Sequence, residues 1–80
     1  MHKLSTSEQI GMILIARRKA LGLTQADVAA RLNISQNRLS ELESQPGQLT
    51  VDRLLAITGV LGIELTLQER TQTAPSSSEW

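Results

Sequence analysis

One pattern recurs three times and constrains this chain more than anything else in it. A Thr or Ser is preceded directly by an aliphatic residue and followed, four positions on, by another. The sets are Leu23-Thr24…Val28, Ile34-Ser35…Leu39 and Leu49-Thr50…Leu54. The hydroxyl of each suits a helix N-cap, accepting from an N–H of the first turn that has no partner within the helix. The two aliphatic residues can close over the cap as a hydrophobic staple. The pattern fixes the starts of three short helices. They are expected to run to about Leu32, Ser44 and Leu61.

An earlier helix opens at Ser5-Thr6-Ser7-Glu8, read as a capping box with Ser5 as N-cap and Glu8 at the third helical position. Ile10, Ile13, Leu14 and Leu21 recur at helical spacing. Arg17-Arg18-Lys19 complements the dipole at its end, and Gly22 closes it. Asn33 and Ile34 alone separate the second and third helices, and Asn tolerates the left-handed backbone of so sharp a turn. Gln45-Pro46-Gly47-Gln48 makes a longer bend before the fourth helix, which Gly62 closes. Gly59 within that helix costs about 1 kcal/mol against Ala, which suggests a close helix contact there.

The period then changes from about 3.6 to 2. Ile63, Leu65 and Leu67 alternate with Glu64, Thr66 and Gln68, the pattern of an amphipathic strand. No second strand is readable, and a lone strand can neither pair its backbone nor bury its apolar face. Pairing with the same strand of a second copy is the simplest solution. The alternative is that residues 63–67 cross the monomer's own helices. Composition favours the pairing. The 80-residue chain contains no Phe and no Tyr, and its single Trp is residue 80. The core must be aliphatic and thin, a condition oligomerisation commonly remedies. The reading is a helix-turn-helix domain over 1–62, a dimerisation strand over 63–70 and a polar, flexible tail over 71–80.

Several function classes are disfavoured. No apolar run approaches the roughly 20 residues of a membrane span, and the N-terminus lacks a signal-peptide core. With no Cys there is no disulfide framework and no cysteine metal site, which suits the cytoplasm. The one His is residue 2, and no nucleophile–base pair, metal cluster or phosphate loop is readable, so neither enzyme nor cofactor is expected. Glu41 and Glu43, two apart on a helix, cannot face each other.

The informative stretch is Thr24 to Glu43: a short helix, a tight turn and a second short helix. Ala29 is small where two helices must approach, and Val28, Leu32, Ile34, Leu39 and Leu42 form the shared seam. Ser35, Gln36, Asn37 and Arg38 are left exposed at the start of the third helix, without a carboxylate among them. Gln and Asn can read adenine by paired bonds, and Arg can read guanine or grip phosphate. The start of a recognition helix is the part that enters the major groove.

Leu21-Gly22-Leu23-Thr24-Gln25, the Val28-Ala29 pair and Leu39-Ser40-Glu41-Leu42-Glu43 together resemble the phage-repressor (Cro/C1, or XRE) helix-turn-helix family over roughly residues 8–62. The resemblance implies an all-α, lambda-repressor-like domain of four to five helices, with the C-terminal strand pairing across a homodimer. It implies a phosphate contact for Gln25, a groove-facing edge at Ser35 to Arg38, and a structural ion pair between Arg18 and Glu43. Asn33 stands where the family often has Gly. The strand and the Ser-rich tail ending Glu79-Trp80 add a narrower similarity to the HipB-type antitoxins. This implies a dimer held by Ile63, Leu65 and Leu67 that binds palindromic operator DNA in its own promoter and holds a HipA-type serine/threonine kinase toxin inactive.

On that reading the third helices enter successive major grooves, with half-sites about 34 Å apart or a multiple. Zero net charge is compatible with this, since Lys3, Arg17, Lys19 and Arg38 can face phosphates while Glu64, Glu69 and Glu79 lie far away. Arg31 and Arg53 suit either role. Trp80 is expected to anchor the tail on the kinase, the alternative being a tail residue without a partner. The rival functions are a stand-alone phage-type regulator and a helix-turn-helix protein-interaction module without its own operator.

Overall fold

The computed structural model describes residues 3–69. Helix α1 spans Ser7–Ala20, α2 Gln25–Leu32, α3 Gln36–Ser44 and α4 Val51–Leu61, with one tight turn of 3-10 helix at Pro46–Gln48. Among the described residues there is no strand. Helix α2 packs on α3, α1 lies against both α3 and α4, and α4 completes the bundle against α2.

Three of the four starts follow from their caps. Thr24, Ser35 and Thr50 sit in extended backbone, and their hydroxyls accept from the N–H groups of Asp27, Arg38 and Arg53. Thr24 gains a full capping box, because the Asp27 carboxylate accepts from its N–H at 2.9 Å. That bond from the Thr24 N–H, with the Thr24 hydroxyl as a second donor group beside the carboxylate, holds the Asp27 carboxyl below its ordinary value.

The first helix begins one residue later than the Ser5–Glu8 box implies. Thr6 is the N-cap, and Gln9 at the third helical position reaches back to accept from Thr6 N at 3.1 Å and from Ser5 N at 2.6 Å. The two boxes overlap in sequence. The Thr6–Gln9 one satisfies an extra backbone donor and leaves Glu8 in the first turn to favour the dipole.

Three helices close in one way. The N–H groups of Leu23, Ile34 and Ile63 donate to the carbonyls five residues earlier, of Arg18, Ala29 and Thr58. The residue before each donor, Gly22, Asn33 or Gly62, takes the left-handed conformation with φ of 73°, 59° and 69°. Leu23 and Ile34 thus each finish one helix and staple the start of the next.

The core is aliphatic, made of Leu14, Val28, Ala29, Leu39, Leu42, Ile57 and Leu61, with Leu32 and Ile34 half-buried at its edge. Burying each Leu contributes roughly 2 kcal/mol. The close helix contact expected at Gly59 is absent: a Cβ there would meet open space. The close approach is at Gly11. A Cβ on it would stand 2.8 Å from the Glu43 carbonyl oxygen and 2.9 Å from Pro46 Cγ. This glycine lets α1 lie against the end of α3 and the turn that follows.

Residues 63–69 continue past α4 with no helix or strand of their own. Ile63 packs against the core, Leu65 lines a hollow with Leu4, Ile10, Ile13 and Leu54, and Leu67 is fully exposed. His2, Arg70 and the tail with Trp80 lie outside the described residues.

Candidate nucleic-acid interface

Helix α3 presents one face to solvent. Leu39, Leu42 and Glu43 are buried on its inner side, while Gln36, Asn37, Arg38, Ser40, Glu41 and Ser44 are exposed. Ser35 spends its hydroxyl as a cap, accepting from Arg38 N at 3.0 Å. Its place on this edge is therefore structural as well as exposed. The first turn holds no acidic residue, so the positive end of the helix is uncompensated where it opens to solvent.

Behind this edge lies a buried polar knot. Arg18 Nε donates to Glu43 Oε2 at 2.7 Å, and its Nη2 to Glu43 Oε1 at 3.2 Å. Arg18 Nη1 donates to the Leu23 carbonyl at 3.0 Å. Gln25 Nε2 completes the set by donating to Glu43 Oε1 at 3.0 Å. One carboxylate thus ties α1, the start of α2 and α3. Among the described residues no buried side-chain polar atom lacks a partner. Buried charges persist under this condition of full pairing. The knot also fixes Gln25: its amide nitrogen is held inside, leaving its backbone N–H at the open first turn of α2.

The other basic residues divide. Arg17 is exposed but partly engaged. Its Nε donates to the Leu61 carbonyl at 2.9 Å, so it caps the end of α4. Lys3, Lys19 and Arg31 are exposed and Arg53 is half-buried. Arg38 is exposed, and its Nη1 donates to Glu41 Oε1 at 3.2 Å. Sequence reasoning weighed Glu41 only against Glu43 and missed its pairing with Arg38, although the spacing of three on a helix was the available signal.

Among the described residues no cluster of His, Cys, Asp or Glu could hold a metal ion, and no helix is long and apolar enough to cross a membrane.

Two comparisons bear on this geometry. The helix-turn-helix family model HTH_3 matches residues 14–68, more than half of the chain. A HipB chain from a crystal form of a HipB–O1–O2 complex superposes with a TM-score of 0.79 at 25% sequence identity, over 86% of this chain and 100% of the HipB chain. No curated protein matches the sequence.

Proposed function

We propose, from the premise that this chain belongs to the Cro/C1-type helix-turn-helix family and is a DNA-binding regulator of that fold, that it acts as a homodimeric operator repressor and as the antitoxin of a HipA-type serine/threonine kinase. The observation that carries the reading is the match to a HipB chain over its whole length. The labels O1 and O2 in that complex are read as operator sites. In that frame Gln36, Asn37 and Arg38, exposed at the free end of α3, meet base edges, with Ser35 beside them. Gln25 meets phosphate at the start of α2.

The dimer reading rests on exposed aliphatic groups. Leu65 is 39% exposed and Leu67 100% exposed on a segment whose backbone, past the Ile63 N–H bond to the Thr58 carbonyl, pairs with nothing among the described residues. Two copies of this segment joined about a two-fold axis cover both. Residues 1–62 are then the DNA-binding domain, 63–70 the dimerisation strand and 71–80 the tail, whose Trp80 anchors on the kinase.

Co-purification with the product of the neighbouring gene tests the whole. A kinase that co-purifies and loses activity in the complex supports the antitoxin role. Salt-dependent, sequence-selective DNA binding with no such partner leaves a stand-alone regulator. Absence of selective DNA binding leaves a protein-interaction module.

A further inference from the structure

The exposed face of α3 carries one carboxylate, and it is not at the margin. At about 100° per residue, Glu41 lies one turn beyond Asn37 on the same stripe, roughly opposite buried Leu39. Its side chain is 62% exposed and that of its partner Arg38 is 48% exposed, so the ion pair stands in solvent and adds little to stability. On a surface that meets phosphates, a carboxylate repels every duplex alike. It is compensated only where the DNA offers a donor, and in the major groove the cytosine N4 amino group is such a donor.

The pair also leaves Arg38 half-occupied in a specific way. Nη1 is taken by Glu41, and among the described residues Nε and Nη2 have no partner. That side of the guanidinium is a two-donor fork, the shape that guanine O6 and N7 accept.

We propose that Arg38 and Glu41 work as one specificity-determining unit that selects a G·C-containing step. Arg38 reads a guanine with Nε and Nη2, and Glu41 accepts from the N4 of an adjoining cytosine. Glu41 raises selectivity chiefly by weakening binding to all other sequences. This rests on the operator-binding reading above.

The test is selection from a pool of random duplexes by the full chain and by Glu41→Gln, followed by anisotropy titration of selected and scrambled duplexes. Unchanged thermal melting by circular dichroism checks the fold of the variant. The expected result is loss of the cytosine at one position of the selected motif, with adenine gaining because Gln bonds its N6 and N7. The ratio of specific to scrambled affinity then falls by about tenfold or more. Arg38→Lys keeps the charge and loses the fork, and should lose the guanine while retaining scrambled-duplex binding. An equal rise in affinity for both duplexes with Glu41→Gln reduces Glu41 to a backbone repeller and overturns the unit. An unchanged motif overturns it too. If the unmodified chain selects no motif at all, the operator reading itself fails and takes this unit with it.

Discussion

Arg18 and Glu43, 25 positions apart in the chain, meet as a two-pronged ion pair in which each residue is only 8% exposed. The pair joins the first helix to the third, and Gln25 is bonded to the same carboxylate. Removing one partner strands the other charge where little water reaches it. Glu43→Leu is expected to lower stability by about 3–5 kcal/mol, measured by urea denaturation. Arg18→Met with Glu43→Leu should recover much of that, since no charge is then left unpaired.

Gly11 and Gly59 are both helical glycines and should respond oppositely to alanine. At Gly11 the new Cβ would collide with the Glu43 carbonyl oxygen and the Pro46 ring. Gly11→Ala is expected to cost about 1–3 kcal/mol through overpacking. Gly59 faces open space, so Gly59→Ala should add up to about 1 kcal/mol from helix propensity. Thermal melting of the two variants side by side decides the matter. A stabilised Gly11→Ala would refute the close approach.

Base reading and backbone contact separate by their dependence on sequence. Asn37→Ala or Gln36→Ala should relax preference for the operator by about 1–3 kcal/mol per contact while leaving binding to random DNA nearly intact. Gln25→Ala removes the bond that seats the start of α2 on Glu43, and should weaken both alike. Equal losses on both duplexes for Asn37→Ala would contradict base reading.

The dimer can be tested apart from DNA. Leu65→Glu places a carboxylate in the segment proposed to pair across the two-fold axis and should yield monomers by light scattering, with the helical signal of the domain preserved. A dimer that persists would show that another surface holds the copies together.

Truncation addresses the tail. Deleting Glu79 and Trp80 should weaken binding to the kinase by about 2 kcal/mol or more, the range of a buried Trp hot spot. Operator binding should be unchanged. Undiminished kinase binding would remove Trp80 from the interface.

What could be read from sequence divides by the range of the interaction. Thr24, Ser35 and Thr50 were legible as caps because each bonds within its own first turn, and Asn33 because its backbone demand is local. The first helix start slipped by one because two capping boxes overlap there and Gln9 outcompetes Glu8. Gly11 escaped notice because its neighbours, Glu43 and Pro46, come from a distant segment. The bond from Arg17 to α4 escaped notice for the same reason: the Leu61 carbonyl that accepts it is 44 positions away. The alternation of Ile63, Leu65 and Leu67 is plain in the sequence, but pairing is a property of two chains. The exposed edge of α3 was legible as residue types. Its arrangement was not, because Glu41 enters it only once the helix has turned.

The double service of Leu23 and Ile34 leaves the two joints without slack. Each closes the helix behind it and staples the helix ahead, so neither linker holds a residue that is free to be gained or lost. One residue inserted at either joint would part the N–H that closes one helix from the cap that opens the next, so that one of the two would be lost. Length changes are therefore costly between α1 and α3, and the packing of Pro46 against Gly11 makes them costly at the next turn too, so the chain's room for them lies beyond Gly62. New sequence preferences in this scaffold must come from exchanging side chains on α3, with the spacing that aims them held constant.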